Sequence, residues 1–275
     1  MEEIINLDSD SESYPEQFDN TPKIMLNYYS VTIKSSDYMR LNPEVFLNDN
    51  LVDFFLGFFI DKKPSFFAFN SFFYNTLSDY GFESVQKWFK SVDLFSKKYW
   101  LIPVARNDHW VLIVVTNPKN GFIDKKPPPG ILLFDSLDLQ NFNPRVQIQS
   151  FIEKLWMANT GCERLVDVLM HVPKLPLQDN PWDCGVYLLW YAEKFVENPK
   201  LFPKVEKYFD DLFDEEEMEN YRWYLKNTIL EFCENAAPIK LARTVVLKIK
   251  ATPEILKICE DVPRYNLRKK KRRKC

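Results

Sequence analysis

The sequence predicts a mixed α/β or α+β domain around a small central sheet, because short apolar runs of strand length are separated by longer helical ones. Trp100 to Val104, Trp110 to Val115 and Ile131 to Phe134 are the strand candidates. They are bounded by the polar stretch Arg106-Asn107-Asp108 and the Pro/Lys-rich stretch from Asn117 to Gly130. The first two read as neighbouring strands joined by a turn.

Each helix carries its own signal. Leu51 to Ile60 follows Asn48-Asp49, good N-cap residues, and predicts a buried helix interrupted only by Asp53. Ser84 to Phe89 continues in helical character. Pro144 stands at a helix start behind Asn143, and Ile148, Phe151, Ile152 and Leu155 fall at i, i+3, i+4, i+7. Cys184 to Phe195 is a second strong helix. From Lys204 the chain is charged and helical, with Glu215 to Glu234 as its main element.

The 275 residues are 46% apolar and include 23 Phe, enough for a sizeable core and too apolar for a disordered chain. Residues 1–22 are acidic and polar and are expected to be disordered. A domain is expected over 23–235 and an extension over 236–275, in which Thr244 to Ile249 reads as a strand. With 6 Gly and neither a GxGxxG nor a GxxxxGK[ST] string, nucleotide enzymes of those types are excluded. The N-terminus has no apolar run of secretory-signal type, and no run is long enough to span a bilayer. Five Cys without a CxxC pair point to a reducing, intracellular setting. Two His make a Cys/His zinc site improbable, and no cofactor is expected.

A chemical site emerges around Cys184. It stands where the loop Pro181-Trp182-Asp183 meets a predicted helix, and a helix N-terminus favours thiolate over thiol and offers N–H groups to an oxyanion. Gly185 would permit close approach of a substrate carbonyl. Taken alone, a cysteine is more commonly a small buried residue on its helix. Two bases are available: His109 opens a strand beside Trp110, and His171 lies in the apolar stretch Met170 to Pro173. His109, next to an exposed turn, is the better candidate. Asp135, at the end of a strand, is suited to hold an imidazole. Gln178, six positions before Cys184, has an amide that could complete an oxyanion hole.

The strings DHW at 108–110, FDSL at 134–137 and QDNPWDCGVY at 178–187 occur in that order. Together they closely resemble the ubiquitin-like-protease family, the sentrin-specific cysteine proteases that process SUMO, the small ubiquitin-like modifier. FLNDNLVDFFL at 46–56 and NSFFYNTL at 70–77 extend the resemblance from about Leu41 to Pro199. It implies an α+β, papain-like core with catalytic order His-Asp-Cys. It also implies His109 as base, Asp135 as its orienting acid, Gln178 as oxyanion donor and Cys184 as nucleophile. By the family pattern Trp110 and Phe46 clamp the modifier's Gly-Gly tail. Two flat rings leave room only for residues without side chains. Phe46 stands where many members have Trp and, together with ILLFDSL at 131–137 and CGVYLLWYAEKFVENP at 184–199, resembles more the branch that trims SUMO chains. The expected activity is deSUMOylation. The alternatives are a protease for ubiquitin or another ubiquitin-like modifier, and a non-catalytic SUMO-binding protein.

Two terminal segments suggest partners. Ile4-Ile5-Asn6-Leu7 followed by Asp8-Ser9-Asp10 resembles a SUMO-interacting motif, an added strand with an acidic flank that phosphorylation of Ser9 or Ser11 would deepen. The net charge of −3 becomes −10 once the seven consecutive basic residues Arg268 to Lys274 are set aside. Such a tail predicts contact with a nuclear-import receptor and a nuclear, otherwise cytoplasmic, protein. The acidic remainder argues against nucleic acid as partner of the folded part. No membrane partner is expected.

Overall fold

The computed structural model describes residues 23–28, 30–139, 141–202 and 212–234. The segment with Ile4, Ile5 and Leu7, the stretch Thr244 to Ile249 and the tail Arg268 to Lys274 lie outside the described residues.

The chain opens with an antiparallel hairpin, β1 (Ile24–Tyr28) and β2 (Val31–Lys34), and a short helix α1 (Ser35–Met39). Helix α2 (Asp49–Phe59) starts at Asn48, whose side chain accepts the Leu51 N–H. That is the N-cap the sequence signals, worth about 1 kcal/mol. After β3 (Phe66–Ala68) come α3 (Phe73–Tyr80), α4 (Phe82–Gln86), β4 (Tyr99–Arg106), β5 (His109–Thr116) and β6 (Gly130–Phe134). Then follow α5 (Arg145–Thr160), β7 (Leu169–His171), α6 (Cys184–Glu197), α7 (Glu215–Glu219) and α8 (Tyr221–Glu234).

One five-stranded sheet runs in the order β3-β4-β5-β6-β7. The outer pairs are parallel and the inner ones antiparallel, so the sheet is mixed. The predicted hairpin turn is Asn107-Asp108, both with positive φ (50° and 57°), the conformation a two-residue type I′ turn requires. Strand β5 is a continuous apolar run because both its faces are covered. Trp110, Leu112 and Val114 join the core with α2, α6 and α8; Val111, Ile113 and Val115 join the core with α3, α4 and α5. All four residues of the stripe predicted on α5 are buried.

The expected element Glu215 to Glu234 is two helices. Asn220 interrupts it: its N–H turns back to the Glu217 and Met218 carbonyls and its side chain donates to the Glu216 carbonyl at 2.8 Å. Asp53 is not a defect in α2. Its carboxylate takes the N–H of Ser71 at 2.8 Å and the Ser71 hydroxyl at 3.2 Å, tying α2 to the segment that leads into α3.

Candidate active site

The catalytic candidates meet where the inner strands β5 and β6 end on one side of the sheet. Strands β5 and β6 are antiparallel with Leu112 opposite Phe134, so the start of β5 and the end of β6 leave the sheet side by side. His109 is the first residue of β5 and Asp135 the first beyond β6. The His109 Nε2 lies 2.7 Å from Asp135 Oδ1. The Leu137 N–H donates to the same oxygen at 3.0 Å and the Leu139 N–H to Oδ2 at 3.0 Å. Burial by itself would raise the Asp135 pKa. The His109 hydrogen bond, then the backbone donors, outweigh it and hold the carboxyl below its ordinary range.

Helix α6 packs on β5 and brings Cys184, its first residue, to the His109 ring. Burial disfavours a charged imidazole. Hydrogen bonds to Asp135 and to Cys184, with the charges of both, prevail and lift His109 to about 9. Since Nε2 is committed to Asp135, Nδ1 is left for the Cys184 sulfur. The helical ladder of α6 begins with the Tyr187 N–H bonded to the Asp183 carbonyl at 2.9 Å. The N–H groups of Cys184, Gly185 and Val186 stand outside that ladder and form the helix's positive end.

Gln178 is buried against the same assembly. Its backbone N–H donates to the Ser136 carbonyl at 2.9 Å, and the Ser136 hydroxyl donates to its Oε1 at 2.5 Å. One Nε2 hydrogen goes to the Asn180 carbonyl at 2.6 Å, which leaves the other for a ligand. Asn180 in turn accepts the N–H groups of Trp182 and Asp183 on its side-chain oxygen, at 3.1 and 3.0 Å, shaping the loop before Cys184. The Tyr191 hydroxyl on α6 donates to the Pro176 carbonyl and holds the start of that loop.

The two aromatic candidates have different environments. Phe46 is 43% exposed, whereas Trp110 is 8% exposed and donates its indole N–H to the Leu47 carbonyl at 3.2 Å. A Cβ at Gly185 would lie 2.9 Å from Leu47 Cβ and 3.3 Å from Trp110 Cδ1, so the missing side chain makes room for these residues. His171 sits on the edge strand β7. Ser136, Asn180, Leu47 and Arg222 are the residues sequence reasoning missed. Ser136 lies inside the quoted FDSL string, while Arg222 carries no local signal at all.

Among the described residues no group of three His, Cys, Asp or Glu side chains is placed to hold a metal ion. No helix of the described residues is long and apolar enough to cross a membrane.

A thiol at a helix N-terminus, with an imidazole placed between it and a carboxylate, defines a papain-like cysteine hydrolase site. The profile of the Ulp1 protease family, C-terminal catalytic domain, matches residues 45–237, and the chain belongs to that family. The probable ubiquitin-like-specific protease 2B of Arabidopsis thaliana is 30% identical over 202 residues, which cover 62% of this chain and 22% of that protein. Ubiquitin-like-specific protease 2 of Schizosaccharomyces pombe is 30% identical over 215 residues, 62% of this chain and 34% of that one. The chain thus spans about a fifth to a third of these relatives. A solved structure described as the de-sumoylating protease superposes with TM-score 0.67 at 28% identity, covering 74% of this chain and 88% of that one. The Ulp1 protease domain in complex with Smt3, the yeast ortholog of SUMO, shares the fold at TM-score 0.59 and 24% identity, covering 78% and 89%.

Proposed function

We propose that the protein is a thiol isopeptidase that releases SUMO from conjugates by cleaving after the modifier's Gly-Gly tail. The observation that carries this reading is the His109 ring held between Asp135 and Cys184. The Cys184 thiolate attacks the carbonyl carbon of the tail's last glycine. The second N–H of the Gln178 amide and the Cys184 backbone N–H meet the oxyanion that forms. The carbon–nitrogen bond breaks as imidazolium His109 delivers its proton to the departing lysine amine, leaving a thioester. Water, its proton taken by His109, attacks the thioester and frees the modifier's carboxylate and the thiolate. Asp135 keeps the ring in the tautomer that serves both halves.

The modifier assignment is supported by the family and by the relatives' names, and the tail assignment by Phe46 and Trp110. Trimming of SUMO chains is the finer reading, supported by Phe46 in place of Trp and by the segment Ile4 to Leu7. Ile5→Ala with Leu7→Ala is expected to weaken capture of SUMO chains and leave cleavage of single SUMO intact. The tail Arg268 to Lys274 supports nuclear import, and deletion of those residues is expected to shift the protein to the cytoplasm.

The test is a panel of modifiers, SUMO, ubiquitin and other ubiquitin-like proteins, each ending in a thiol-reactive group. SUMO is expected to label the wild type fastest and to leave Cys184→Ala unlabelled. Faster labelling by another modifier would reassign the substrate. A Cys184→Ala protein that still releases SUMO would overturn the mechanism.

A further inference from the structure

Arg222, in the first turn of α8, is 13% exposed and has every guanidinium hydrogen engaged. Its Nε donates to Asp183 Oδ1 at 2.7 Å. Its Nη1 donates to the carbonyls of Arg40 at 3.1 Å and Asn42 at 3.0 Å, and its Nη2 to those of Val45 at 2.8 Å and Trp182 at 3.4 Å. These acceptors belong to two stretches far apart in sequence. One runs directly into Phe46, whose own carbonyl accepts from Arg40 Nη1 at 3.2 Å. The other runs directly into Cys184.

The network continues into the site. Asp183 Oδ2 accepts from Asn180 Nδ2 at 2.8 Å, and the Asn180 carbonyl accepts from Gln178 Nε2 at 2.6 Å. A rigid, planar fork thus sets both the loop that carries the nucleophile and the strip that ends at the exposed aromatic ring.

We propose that Arg222 is a positioning residue of this peptidase: it fixes the spacing between Phe46 and the start of α6, and so sets how strictly the cleft selects a tail without side chains. The proposal rests on the thiol isopeptidase reading and adds α8 to the apparatus. Anchorage of α8 does not need Arg222. Tyr221, Leu225 and Ile229 are buried, and the hydroxyls of Tyr221 and Tyr224 both donate to Glu193 on α6 at 2.7 Å. A variant at 222 therefore keeps the helix in place while freeing the two stretches.

The experiment compares wild type, Arg222→Lys and Arg222→Met in three reactions. These are turnover of a SUMO isopeptide conjugate, labelling by SUMO probes ending Gly-Gly or Gly-Ala before the reactive group, and alkylation of Cys184 by iodoacetamide. A lysine keeps the charge but cannot bridge Asp183 and four carbonyls. Both variants are expected to lose about tenfold or more in kcat and to lose about tenfold of the preference for Gly-Gly, since a small misplacement of reacting groups is enough for that. Alkylation, which needs no cleft, is expected to keep its rate and pH profile. Folded variants with wild-type kcat and wild-type preference would overturn the proposal, as would a loss spread equally over all three reactions together with a lowered Tm. Should Arg222→Met not fold, Arg222→Lys alone carries the test: it keeps a positive charge beside Asp183 but loses the fork, and the same loss of preference is expected. Failure of wild type to react with any SUMO probe would instead refute the underlying peptidase reading.

Discussion

Asp135 divides its carboxylate between His109 and the backbone: Oδ1 takes the imidazole Nε2 at 2.7 Å, and Oδ2 takes the Leu139 N–H at 3.0 Å. Since the backbone donors come from the turn that follows β6, the carboxylate cannot follow the ring if the ring moves. The imidazole is therefore oriented by a group that is itself held in place, with its second nitrogen left for Cys184.

This arrangement sets a pH dependence. His109 is lifted from 6.5 to about 9, so the proton donor for the leaving amine stays charged until the pH rises through about 9. The kcat/KM profile is expected to fall on its alkaline side there. Asp135→Asn removes a partner that favours the charged ring, so that limb is expected to move to lower pH, with kcat reduced by about 10³–10⁴-fold. The charged ring also contributes stability that is full below 6.5 and lost as pH rises through about 9. Thermal melts across pH 6 to 10 check this, and an alkaline limb unmoved in Asp135→Asn counts against the assignment.

Ser136 holds the Gln178 amide through its hydroxyl and its carbonyl. Ser136→Ala removes the hydroxyl contact while leaving the backbone bond and the packing. A fall in kcat of about tenfold is expected, less than the loss of a whole oxyanion donor, with Cys184 alkylation unchanged. Combined with Gln178→Ala it is expected to add almost nothing, because both changes remove the same interaction. Full additivity in steady-state kinetics would separate the two residues.

Gly185→Ala places a methyl group 2.9 Å from Leu47 Cβ. Leu47, next to Phe46, and Trp110, whose indole N–H holds the Leu47 carbonyl, have to shift. The expected result is a destabilisation of about 1–3 kcal/mol with a larger proportional loss in SUMO-tail cleavage than in iodoacetamide alkylation. Denaturant unfolding and the two rate measurements give the comparison.

Asp53 is raised from 3.8 to about 7, chiefly by burial, against the opposing hydrogen bonds from Ser71. Between those values the folded state binds more protons than the unfolded one, so this group makes stability fall as pH rises from 3.8 to about 7. Asp53→Asn keeps an acceptor for the Ser71 N–H and removes the charge. Its Tm is expected to exceed that of the wild type at pH 8 and to match it near pH 4. Equal shifts at both values would assign the effect to packing instead.

Several local signals in the sequence rest on neighbours in the chain and agree with the structure. The α5 stripe, the Asn48 cap and the paired strands around Asn107-Asp108 all follow from short-range periodicity and turn chemistry. The hairpin at 24–34, β3 and β7 escaped because strands of three to five residues carry too few side chains to show a period. The break at Asn220 escaped because a capping side chain competes with the helix ladder only in the folded geometry.

The sequence by itself determined that this protein carries His109, Asp135, Gln178 and Cys184 in a hydrolase order, with Cys184 at a helix start. The helix start follows from local propensity, and the order of roles from the resemblance that the DHW, FDSL and QDNPWDCGVY strings carry. Only the tertiary structure decided that Ser136 holds Gln178, that Gly185 makes room for Leu47 and Trp110, and that Arg222 joins Asp183 to the carbonyls before Phe46. Each of these is a contact between stretches remote in sequence, and no local pattern encodes it, because a guanidinium or a hydroxyl finds its partners only after the layers around the sheet have packed.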